Sequence, residues 1–135
     1  MIDTLLVPEK TVVKAKGDGA AVDISAASSR VFLLTLNITA VIEQESIDVT
    51  IFGSADGTAW PGKPIESFPQ KFYAGEHPLL LDVTQQPEIK FLRAHWDVSR
   101  WGRGEPTPMF EFHITMKEVP ADILREATAE AKSLG

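Results

Sequence analysis

No cysteine occurs anywhere in the chain. That absence removes disulfides, thiolate metal sites and cysteine nucleophiles together, and it leaves the redox compartment undecided. Long apolar runs are missing as well; none approaches the ~20 residues that a membrane-spanning helix requires. Basic excess is also lacking: 13 Lys and Arg stand against 19 Asp and Glu, a formal net charge of −6. An acidic balance repels phosphate backbones, so neither nucleic acid nor a membrane surface is an expected partner. The start, Met1-Ile2-Asp3-Thr4-Leu5-Leu6, places an acid where a secretory signal would carry basic residues. The expected location is the cytoplasm, or outside by way of an assembly or a dedicated export system.

Catalytic signatures are equally scarce. No glycine-rich loop ends in Lys-Ser/Thr, and neither GxSxG nor HExxH is present. Glu43 and Glu45 read as acids that keep a strand end soluble. His77, beside Pro78, reads as an exposed loop histidine. Asn37-Ile38-Thr39 matches the glycosylation sequon but falls in the middle of a strand pattern. The chain is therefore expected to be no enzyme and to need no cofactor.

What is present is alternation. A length of 135 residues fits one domain with a core of its own. From Val31 to Ile42 the even positions Phe32, Leu34, Leu36, Ile38, Ala40 and Ile42 are apolar, while Thr35, Asn37 and Thr39 are polar. Successive side chains on a strand point to opposite faces, so period two marks a half-buried strand. Ile47, Val49 and Ile51 repeat the pattern. Leu92, Ala94, Trp96 and Val98 do so against Arg93, His95 and Asp97. Phe110, Phe112, Ile114 and Met116 do so against Glu111, His113, Thr115 and Lys117.

Weaker strands are expected over 2–7, 11–15, 20–24, 65–73 and 79–83. Lys16-Gly17-Asp18-Gly19 and Asp56-Gly57 read as turns, and the Gly- and Pro-rich stretch Arg100–Pro108 as a loop. Pro69 demotes its segment to an edge or bulged strand. The predicted fold is all-β: an antiparallel, jelly-roll-like sandwich of about 8–9 strands over 1–118. A helical tail is expected over 119–135, opened by Pro120. Its apolar stripe, Ile123, Leu124, Ala127, Ala131 and Leu134, needs a surface to pack on. That surface is the chain's own sandwich or another subunit.

Two sets of side chains could carry function. If the two C-terminal strands paired, His95 would face Glu111 or His113, and these three could converge on a divalent metal. The plainer role of that face is solvation, so no metal is expected. For binding, Trp60 is placed to cap one sandwich end, and Arg100, Trp101 and Arg103 share an unpatterned loop. Tryptophan between arginines can stack on a sugar, pack on a protein or hold an anion.

The segment Ile47-Asp48-Val49-Thr50-Ile51-Phe52-Gly53-Ser54-Ala55-Asp56-Gly57-Thr58-Ala59-Trp60 resembles the S-x-D-G-x-x-W hairpin of discoidin-like (galactose-binding-like) β-sandwiches. It is also similar to small β-sandwich proteins encoded among phage structural genes. Ile89-Lys90-Phe91-Leu92-Arg93-Ala94-His95-Trp96 looks like the strand that follows in them. The resemblance covers about residues 20–117 and implies the fold more than the role. The leading expectation is a non-catalytic structural or assembly module of phage-like type. It would form a homo-oligomer or bind a protein partner through Ile123, Leu124, Ala127 and Leu134. The alternative is a module for carbohydrate or another small ligand, using Trp60, Arg100, Trp101 and Arg103.

Overall fold

A computed structural model describes residues 2–14, 16–41, 45–71, 74–100 and 109–120. Among them the chain is all-β: β1 (Asp3–Val13), β2 (Gly17–Asp18), β3 (Val22–Asp23), β4 (Val31–Val41), β5 (Glu45–Ser54), β6 (Glu66–Ser67), β7 (Gly75–Asp82), β8 (Phe91–Arg100) and β9 (Phe110–Glu118). One sheet has the order β1-β9-β4-β7; the other runs β2-β8-β5-β6, with β3 also on β8. Every pairing is antiparallel. No helix among the described residues is long and apolar enough to cross a membrane.

The alternating residues make the core. Phe32, Leu34, Leu36, Ile47, Ile51, Leu92, Ala94, Phe110, Phe112, Ile114 and Met116 are all fully buried. Each large side chain taken out of water contributes about 1.5–3 kcal/mol. Trp96 and Phe112 meet edge to face across the two sheets, with ring centroids 5.6 Å apart.

Several expectations need correction. The last two long strands do not pair: β8 lies beside β5, and β9 lies between β1 and β4. Residues 101–109 separate them in the chain, too many for a tight hairpin and enough to cross the ~10 Å between stacked sheets. Lys16–Gly19 is not a hairpin turn. Gly17 and Asp18 form a short strand opposite Trp96 and His95, and a Cβ at Gly17 would lie 3.1 Å from the Trp96 indole nitrogen. Glycine is there for close approach rather than for a turn.

His77 is not an exposed loop residue. It sits on β7 opposite Leu36 and is buried, 8% exposed. Pro78 beside it is tolerated because β7 is a sheet edge. The expected strands over 2–7 and 11–15 merge, in their described part, into one edge strand, β1 (Asp3–Val13), with register shifts between Leu5 and Thr11. Such a bulge suits an edge, where it blunts further pairing. Of 65–73, the described part lies along β5: β6 pairs with it, Lys71 bridges to Ile47, and Ile65 N and Phe68 N donate to the Ile51 and Val49 carbonyls. β6 is an edge, as Pro69 implied.

Candidate functional site

The separation of β8 and β9 decides the fate of the histidines. His95 stands opposite Thr50 and Asp18 on the outer face of one sheet. His113 stands opposite Asn37, and Glu111 opposite Val12 and Ala40, in the other sheet. The three side chains therefore do not converge. Among the described residues no group of three or more His, Asp or Glu is placed to hold a metal ion.

Around His95 a polar cluster has formed instead. His95 Nδ1 lies 2.9 Å from Asp18 Oδ1, and Arg93 Nη2 lies 3.7 Å from the same oxygen. The ring of Phe52 meets His95 edge to face at 5.9 Å. Arg93 also stacks on Trp60, its guanidinium carbon 4.4 Å from the ring centroid. The 55–65 loop thus turns Trp60 against the outer face of this sheet. Trp60 caps no sandwich end, and one of its faces is already covered. Of its proposed companions, Trp101 and Arg103 lie outside the described residues, as does the Arg100 side chain. The same holds for Ile123, Leu124, Ala127 and Leu134.

The end of the sandwich carries a cleft of about 600 Å³. One wall is the loop leaving β5, with Gly53, Ser54, Asp56, Ala59, Pro61 and Lys63. It is held from within. Ser54 Oγ donates to the Ala59 carbonyl at 2.6 Å and accepts from Gly57 N at 2.9 Å. Asp56 Oδ1 accepts from Thr58 N and Ala59 N, both at 2.9 Å. Those amides, Ala59 first, lower the Asp56 carboxyl to about 2. Gly57 takes a φ of 80°, so the expected Asp56-Gly57 turn is present.

The opposite wall contains Gln86, Glu88 and Ile89. Arg30 holds it: Nη2 donates to the Gln86 carbonyl at 2.9 Å and to that of Ile89 at 2.8 Å. Arg30 itself takes a φ of 59°, a left-handed backbone that costs of order 1–3 kcal/mol and that these bonds offset. Lys90 N donates to the Ser54 carbonyl at 2.9 Å, tying wall to wall. Gly53 lets them touch, since a Cβ there would fall 2.8 Å from Ile89 Cδ1.

The outer face of the β1-β9-β4-β7 sheet is more apolar than its alternation implied. Leu33 faces Leu80 across the β4–β7 ladder and Lys117 across the β4–β9 ladder. Leu5 faces Thr115 on β9. These leucines are 37–53% exposed. Leu33 adjoins Lys117, the last outward residue before β9 ends at Glu118.

Glu118 is a residue that sequence reasoning missed. It occupies the next inward position after Phe110, Phe112, Ile114 and Met116, and it is buried. Its Oε2 accepts from Ser28 N, Ser28 Oγ and Ser29 N at 2.9–3.0 Å, and its Oε1 from Ile2 N at 3.1 Å. Burial pushes its carboxyl up, but those donors outweigh it and bring the group down to about 2. An acid falling in an apolar register was the available signal.

No protein-family model matches the chain, and no curated protein matches it.

Proposed function

We propose that the chain is a non-catalytic assembly module that self-associates through the outer face of its four-stranded sheet. The observation that carries this reading is the row Leu33–Leu80, in register on β4 and β7 and exposed on a sheet face, with Leu5 also exposed on that face across β9. Neighbouring apolar side chains on one face mark association surfaces more often than scattered ones. Charges of both signs flank the row: Asp3 pairs in register with Lys117, and Glu76 lies on β7. A two-fold contact would bring Lys117 of one copy towards acids of the other. The stripe Ile123, Leu124, Ala127 and Leu134 follows β9 in the sequence, and in this proposal a helix there would extend the contact. The jelly-roll and discoidin-like affinities, and the phage-like origin, belong to the same reading; the Ile47–Trp60 hairpin resemblance supports them.

Sedimentation tests it on the whole chain, a Leu33→Glu/Leu80→Glu double variant and a chain ending at Val119. Oligomers are expected for the first and monomers for the double variant, with shortening of the chain weakening assembly. A whole chain that stays monomeric at all concentrations overturns the reading.

The cleft favours a second reading, a small-ligand-binding module. Its volume lies in the usual range for ligand sites and its walls are held without a ligand. Carbohydrate loses support within it, since no aromatic ring lines it.

A further inference from the structure

The cleft's lining sorts ligand classes by chemistry. Its body is apolar: Pro61, Pro64, Ile65 and Ile89, with two alanines. Trp60, between Ala59 and Pro61, turns its ring onto Arg93 instead, so flat stacking on a sugar ring has no platform. The charged side chains are Asp56 and Glu88 against Lys63. Two carboxylates against one ammonium in the lining disfavour a phosphate or carboxylate ligand, and the net charge of −6 adds to that bias. Neutral polar ligands would gain nothing from the negative excess of the lining.

Asp56 is the better placed of the two acids. Its Oδ1 is taken by the loop amides, which fix the carboxylate's direction before any ligand arrives. Preorganised charge costs no rearrangement on binding.

Resting on the small-ligand reading, we propose that the sandwich-end cleft binds a primary alkylammonium group. The ammonium would meet Asp56 and Glu88 while its aliphatic stem lies along Pro61, Pro64, Ile65 and Ile89. A lysine side chain of a partner and a free aliphatic amine share this chemistry.

The test is an amide-shift NMR titration of the full chain with n-hexylammonium, n-hexanol and n-hexanoate. Hexylammonium should bind most tightly, with Kd on the order of millimolar for so small a ligand, moving the amides of Gly53, Ser54 and Ile89. Glu88→Gln should weaken it about two- to fivefold, the range of an exposed ion pair. Lys63→Gln should tighten it and weaken hexanoate; both positions are exposed, so the fold is not at risk. Nα-acetyl-lysine methylamide separates the sources: tighter binding than hexylammonium points to a partner's lysine, weaker to a free amine, and either supports the proposal. Hexanol binding as well as hexylammonium, or hexanoate binding best, overturns the cation assignment while the cleft remains a ligand site. No shift with any of the three overturns both.

Discussion

Trp60 and Arg93 form a stacked pair on the outside of the β2-β8-β5-β6 sheet, with 4.4 Å between guanidinium carbon and ring centroid. Arg93 is also the register partner of Phe52, so the pair pins the loop after β5 to the strand that faces β5. Removing the guanidinium should free Trp60 without unfolding the sheet. Arg93→Ala is expected to cost about 0.5–1 kcal/mol, the range for a partly exposed cation–π contact. Acrylamide quenching, compared with Trp60→Phe in the same background, should show a more accessible Trp60. Unchanged quenching would mean that the ring does not rest on Arg93.

Core contacts between the sheets should be far more expensive to remove. Phe112 is fully buried and meets Trp96 edge to face. Phe112→Ala is expected to lower unfolding free energy by about 3–5 kcal/mol, read from urea denaturation. Lys63→Ala, at an exposed position, should stay within about 0.5 kcal/mol.

Glu118 should give the chain an acid limb. Its carboxyl lies at about 2 when folded against an ordinary 4.5. A lowered folded value means stability that is complete above about pH 4.5 and is lost as pH falls towards about 2. Glu118→Gln should flatten that limb. Glu118→Ala, which leaves Ile2 N, Ser28 N and Ser29 N without their acceptor, should cost about 2–4 kcal/mol at neutral pH. Thermal melts from pH 2 to 7 provide the measurement, and parallel curves for wild type and Glu118→Gln would refute the assignment.

The contact between Gly53 and Ile89 predicts a rescue. Gly53→Ala forces Ile89 aside and should destabilise by about 1–3 kcal/mol. Adding Ile89→Val removes the crowding Cδ1 and should recover part of that loss. A double variant no better than additive would place the two residues out of contact.

How much of this was legible beforehand follows from what alternation can and cannot say. Leu34, Leu36, Phe110 and Phe112 announced themselves, because a period of two fixes which face of a strand is buried. Alternation says nothing of which strand lies beside which, so His95 and His113 could not be assigned to opposite sheets. Asp18 was hidden by composition: Lys-Gly-Asp-Gly has turn chemistry, yet Gly17 is small because Trp96 needs the space. The cleft depends on Arg30 reaching the carbonyls of Gln86 and Ile89, a contact between distant segments that no local pattern encodes. Trp60 stands out in the sequence as an aromatic just after a turn, but its stacking partner, Arg93, comes from the strand beside β5.

Every site described above depends on β8 pairing with β5 while β9 pairs with β4. Cross-strand backbone NOEs measure that directly in solution. The expected peaks connect Thr50 with His95 and Thr35 with Thr115, the register partners in the two sheets, alongside ring contacts between Trp96 and Phe112. Peaks joining His95 to Glu111 or His113 would contradict this arrangement and would bring the histidines together again.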